Sequence, residues 1–132
     1  MSHIAVVNCV ITNLDALATA AEKLGGELMR DQRSFRMYGS QQQPCLHAIR
    51  LKGKADAYEV GLRQKAAEEP GTFDLACDFF DGNLTKAFGQ NLTGLQNEYT
   101  ALVAEQAMRR RGYRVQRDAE APANVIRLVA RA

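Results

Sequence analysis

The chain has 132 residues, enough for one domain that buries about two-thirds of its unfolded surface without disulfide or metal staples. Its formal charge of +2, with 24% charged and 46% hydrophobic residues, is ordinary for a globular protein and too weakly basic to demand a polyanionic partner by charge alone. No apolar run approaches the ~20 residues of a membrane-spanning helix. The amino-terminal stretch has neither a charged region nor a small-residue cleavage site, so a cytoplasmic protein that does not enter the membrane is expected.

In chain order, His3 to Ile11 is a nearly continuous run of valine and isoleucine. Its brevity and β-branching predict a central strand covered on both faces. Thr12-Asn13-Leu14-Asp15 supplies a cap with an acid close behind. Leu14, Leu17, Ala21 and Leu24 then form the stripe of a first helix, which Gly25-Gly26 ends. Glu27 to Arg30 and Ser34 to Tyr38 are short strands, and the polar stretch Gly39 to Pro44 reads as an exposed loop. Cys45 to Leu51 is a strand and Lys52-Gly53-Lys54 a turn. Tyr58 to Arg63 forms another short strand, followed by a charged loop from Lys65 to Gly71. Phe73, Leu75, Cys77 and Phe79 alternate with Asp74, Ala76 and Asp78, the period of a strand whose aspartates face solvent. Asp81-Gly82 marks a turn.

The last third is the most regular. Leu92, Leu95, Tyr99, Leu102, Val103 and Gln106 share one face of a long helix. Asn91 or Thr93 is the expected cap. Arg109, Arg110 and Arg111 meet the negative end of the helix dipole, and Gly112 is the expected left-handed stop. Tyr113 to Arg117 alternates as a strand, Asp118 to Asn124 is a loop, and Val125 to Arg131 is the returning strand. One α+β domain over 1–132 follows. It is an antiparallel sheet of about five to seven strands, with two helices packed on one face and a closing C-terminal hairpin.

Chemistry is sparse. His3 near the amino terminus is read as a hydrogen-bonding side chain rather than a metal ligand. Cys9, Cys45 and Cys77 are widely spaced among apolar neighbours and are expected as reduced core thiols. Cys45-Leu46-His47 places thiol and imidazole on one strand face, without the paired spacing of a zinc site. Asp74, Asp78 and Asp81 read as a solvated face, and no phosphate-binding glycine fingerprint occurs. No catalytic residue, cofactor or metal is expected. Arg109, Arg110, Arg111, Arg114 and Arg117, with Tyr113 among them, are the one basic concentration, which Arg127 and Arg131 can join. Such a cluster can grip phosphates beside a stacking ring.

Met1-Ser2-His3-Ile4, Leu14-Asp15-Ala16-Leu17, Gly112-Tyr113-Arg114-Val115 and Ile126-Arg127-Leu128-Val129 carry a resemblance. Together, in this order, they resemble a family of unknown function that includes a conserved open reading frame of cyanobacteria and plastids, with bacterial and phage members. The resemblance covers both ends, roughly 60 residues, and implies a shared fold without supplying catalytic residues. Members often place an acidic residue and glycine before the Ile-Arg-Leu strand, where this chain has Ala123-Asn124. The expected function is a non-enzymatic module that docks onto another protein or self-associates through exposed strand edges. The alternative is a nucleic-acid-binding accessory protein using the Arg109–Arg117 cluster.

Overall fold

Alternating apolar side chains form five strands that make one antiparallel sheet in the computed structural model, which describes residues 4–122 and 125–132. They are β1 (Ala5–Ile11), β2 (Gly26–Arg30), β5 (His47–Leu51), β6 (Val60–Gln64) and β7 (Phe73–Cys77), in the order β1-β7-β6-β5-β2. Every neighbouring pair is antiparallel. β1 and β2 therefore run the same way at opposite edges, and helix α1 (Leu14–Lys23) carries the chain from one to the other. β3 (Ser34–Arg36) pairs with β4 (Gln42–Pro44) outside this sheet. The stretch read as a polar loop therefore contains a short strand. Gln42 and Gln43 sit opposite Arg36 and Phe35, and tertiary pairing overrides their low strand propensity.

The helical layer comprises α1, the short α2 (Asn83–Phe88) and α3 (Thr93–Arg110). Leu17, Leu84, Phe88, Leu92 and Leu95 pack on Ile49, Val60, Leu62, Leu75 and Cys77 of the sheet. Helix α2 is one more than the sequence suggested. At six residues it is too short to show a periodic stripe, and an Asp81 carboxylate bond from the Asn83 amide (2.9 Å) starts it. The Tyr99 hydroxyl accepts from the amides of Thr12 and Asn13 at 3.0 and 3.1 Å, which fastens α3 to the β1–α1 turn. Asn13 in turn caps α1 through the Ala16 amide.

Helix α3 begins at Thr93, and neither Asn91 nor Thr93 caps it as expected. Asn91 and Leu92 are both left-handed (φ 54° and 60°), a conformation that costs a non-glycine residue about 1–2 kcal/mol. The Leu92 side chain is fully buried, and this burial holds the backbone in place. Glycine matters just after: a Cβ on Gly94 would lie 2.8 Å from the Phe88 carbonyl oxygen.

On the opposite face of the sheet, Ala48, Gly61 and Ala76 stand side by side across β5, β6 and β7. Their small size leaves a trough, which the buried Phe35 ring of β3 fills beside Cys45 and Ile4. A methyl group on Gly61 would fall within the Phe35 ring. Glu59 secures the hairpin: its carboxylate accepts from the Arg36 amide (2.9 Å) and from Gln32 Nε2 (3.2 Å). Arg36 answers through the Ala57 carbonyl at 3.2 Å.

β1 departs from expectation in position. Its apolar run predicts a central strand, yet it lies at the sheet edge and, among the described residues, pairs with β7 alone. The helical layer and the first β7 contacts cover Ile11 and Val7, while Val6 and Val10 stand 53% and 60% exposed. Apolarity on both sides of a strand predicts burial of both, and here half of it faces outward.

Candidate interaction surfaces: the arginine ribbon and the open edge

Helix α3 ends as its sequence requires. Gly112 is left-handed (φ 88°), the Tyr113 amide donates to the Met108 carbonyl and the Gly112 amide to that of Arg109. This turn launches β8 (Arg114–Arg117), which pairs with β9 (Leu128–Arg131) as a two-stranded ribbon separate from the main sheet. β9 is shorter than predicted, starting at Leu128 rather than Val125. Ala123 and Asn124, the turn ahead of the returning strand, lie outside the described residues, as does His3.

The structure divides the basic cluster. Arg117 turns toward α3, donating Nε to Glu105 (2.7 Å) and Nη1 to both oxygens of Glu98 (2.9 and 3.0 Å). It is a structural clamp and leaves the candidate site. Hydrogen bonds to Glu98, then to Glu105, hold its guanidinium more firmly charged. Arg109 reaches back to the Val115 carbonyl (3.5 Å), and Arg127 pairs with Asp118 (3.1 Å). Arg110, Arg111, Arg114 and Arg131 remain. Among the described residues none of them has a carboxylate partner. Arg114 stands directly opposite Arg131 in the ribbon ladder, an arrangement in which like charges destabilise each other. Tyr113 is exposed beside them.

The second surface is the free side of β1. Ala5–Ile11 carries no charged residue and no proline, two of the usual guards against strand pairing. Between Val7 and Ile11 the register shifts, and the chain bulges. There Asp74 accepts the Cys9 amide (3.4 Å), while Lys65 Nζ bridges the Cys9 carbonyl (3.0 Å) and Asp74 (3.1 Å). Asp74 thus serves the bulge rather than a solvated face. Asp78 corrects the same expectation: it is 1% exposed and accepts from the amides of Tyr38 (3.3 Å) and Phe80 (2.9 Å). Those bonds place the exposed Tyr38–Phe80 pair, edge to face at 5.1 Å, off the end of β7.

Cys45 and Cys77 are buried and Cys9 is half-buried. Cys45 joins the Phe35 cluster, whereas His47 packs edge-on against Phe73 of the other layer. The expected shared strand face is broken at Leu46, where the backbone donates to Leu62. Burial, then the Glu59 charge, pushes the Cys45 thiol up to about 11. Burial and Asp78 push Cys77 up to about 12. With thiolate suppressed at neutral pH, alkylation of native protein by iodoacetamide should show no fast-reacting cysteine, and all three should react together only on unfolding. Among the described residues no group of three His, Cys, Asp or Glu side chains is placed to hold a metal.

His47 supplies a pH dependence. Its Nδ1 accepts from the Asp31 amide (2.9 Å), and burial lowers its pKa from the usual 6.5. The unfolded chain then binds a proton that the folded state resists, so stability falls as pH drops below about 6.5. Urea midpoints between pH 7 and pH 5 should decline, and His47→Gln should flatten that slope.

The sequence located the arginines but not the free edge, and not Phe35 as the lid of a trough. The isolated Gly61 inside a strand was the available signal, since such a glycine marks close approach. Comparison with known proteins returns no match, whether by family model, curated protein or solved structure.

Proposed function

We propose that this chain is a non-enzymatic interaction module that takes a further strand onto the free edge of β1. The strand comes from another protein or from a second copy. One observation carries the reading: a seven-residue edge strand without charge or proline, with Val6 and Val10 exposed. An added strand would use the unpaired backbone groups for affinity and the outward valines for specificity. The resemblance at the two ends of the chain belongs to this proposal as a shared fold, and it adds no catalytic residue.

A second reading rests on Arg110, Arg111, Arg114 and Arg131, which lack carboxylate partners. Four arginines beside Tyr113 can hold nucleic-acid phosphates, with a salt dependence of roughly three to four counterions released. Capture from nuclease-treated host lysate separates the two. Strand addition predicts a stoichiometric partner or self-association that survives Arg114→Glu/Arg131→Glu and disappears with Val6→Lys/Val10→Lys. Loss on nuclease treatment and in the arginine variant, with the valine variant unaffected, would sink the edge reading.

A further inference from the structure

Among the described residues eight of the seventeen lysines and arginines meet a carboxylate, and two groups of the others stand close together. One is the ribbon. The other is a depression of about 230 Å³ where the end of α1, the β5 turn and α2 meet. Lys52, Lys54, Lys86 and Asn83 form its polar wall, and Leu24, Leu51 and Ala87 supply apolar lining.

The lysines converge because of local backbone geometry. The left-handed Gly53 (φ 74°) turns the chain between Lys52 and Lys54, and the Lys52 amide donates to the Gly25 carbonyl (3.0 Å), tying the turn to the α1 end. Lys86 approaches from the last turn of α2. Lys52 Nζ is paired with Glu22 (2.8 Å). Lys54 Nζ touches only the Asn83 amide oxygen (3.5 Å). Among the described residues neither Lys54 nor Lys86 has an acid within ion-pair distance. Two unneutralised ammonium groups therefore flank one recess with an apolar lining.

We propose that this recess binds a small phosphomonoester, its phosphate held by Lys54 and Lys86 with Lys52 alongside and its apolar body against Leu24, Leu51 and Ala87. Ammonium groups bind phosphate as compact point charges, and two converging on one recess make a site where one would not. A volume of this size suits a ligand of one ring, below that of drug-sized pockets. The apolar lining distinguishes it from a bare counterion site.

Phenyl phosphate is the probe, with phenol and inorganic phosphate as controls, followed by amide chemical shifts in the intact chain. Binding should move the Gly25 and Gly53 backbone amides and the Asn83 side-chain amide. Lys54→Gln/Lys86→Gln should weaken it about tenfold, or ~1.4 kcal/mol, while Lys54→Arg/Lys86→Arg retains it. An unchanged thermal midpoint in both variants would exclude unfolding as the cause. Equal affinity in the glutamine variant, or shifts confined to residues 110–131, would overturn the proposal.

Discussion

Gly61→Val should be the most damaging single substitution in the sheet, lowering stability by about 3 kcal/mol or more, because overpacking forces neighbours off their rotamers. Phe35 rests on Gly61 with its ring where any side chain would stand, and its neighbours Ala48 and Ala76 are fully buried. The ring cannot retreat, since β3 is held by the Arg36 amide on the Glu59 carboxylate, the Glu59 amide on the Arg36 carbonyl and the Arg36 guanidinium on the Ala57 carbonyl. Urea unfolding would measure the loss, and against a typical margin of about 5–15 kcal/mol it removes a large part. Gly61→Ala should cost less. Paired with Phe35→Leu, it should cost less than the sum of the two changes made separately, because the substitutions share one trough. Additive losses would mean that the ring and the glycine do not share the space described.

Arg117→Met should come next, at about 2–3 kcal/mol. Removing one partner of a well-buried ion pair costs about 3–5 kcal/mol, and the Arg117 side chain is 31% exposed, which moderates the figure. Glu105, 8% exposed at its side chain, would be left without its guanidinium. The same arginine joins the ribbon to α3, and a two-stranded ribbon has little stability of its own. Amide hydrogen exchange at residues 114–117 should therefore accelerate more than exchange in the sheet. Arg114→Glu/Arg131→Glu should behave in the opposite way. It exchanges one face-to-face like-charged pair for another of opposite sign, so stability should hold within ~0.5 kcal/mol while any polyanion binding is lost. The two variants separate an arginine that builds the fold from arginines that have no carboxylate partner among the described residues.

Much of this architecture was legible in the residues. The stripe through Leu95 and Tyr99 placed α3, Gly112 placed its end, and the alternation from Phe73 to Cys77 placed β7. Those signals are local and periodic. What was hidden is relational. The valines of β1 look the same whether a strand lies beside them or not, so its edge position could not be read from its own composition. Arg117 is indistinguishable in sequence from Arg114. One residue of strand parity sends the first to Glu98 and Glu105 and the second to solvent opposite Arg131. Asp78 has the same spacing as a solvated aspartate, but the chain folds Tyr38 over it and turns it into a buried acceptor.

Backbone amide exchange along β1, measured first on dilute protein and then with a captured partner or at high protein concentration, tests the open edge most directly. Amides of Ala5–Ile11 on the side away from β7 should exchange quickly in the dilute chain and become protected when a strand is added, with Val6→Lys/Val10→Lys abolishing that protection. If these amides are already protected in the dilute monomer, or if engagement leaves β1 unchanged and protects the ribbon instead, β1 is not the docking edge.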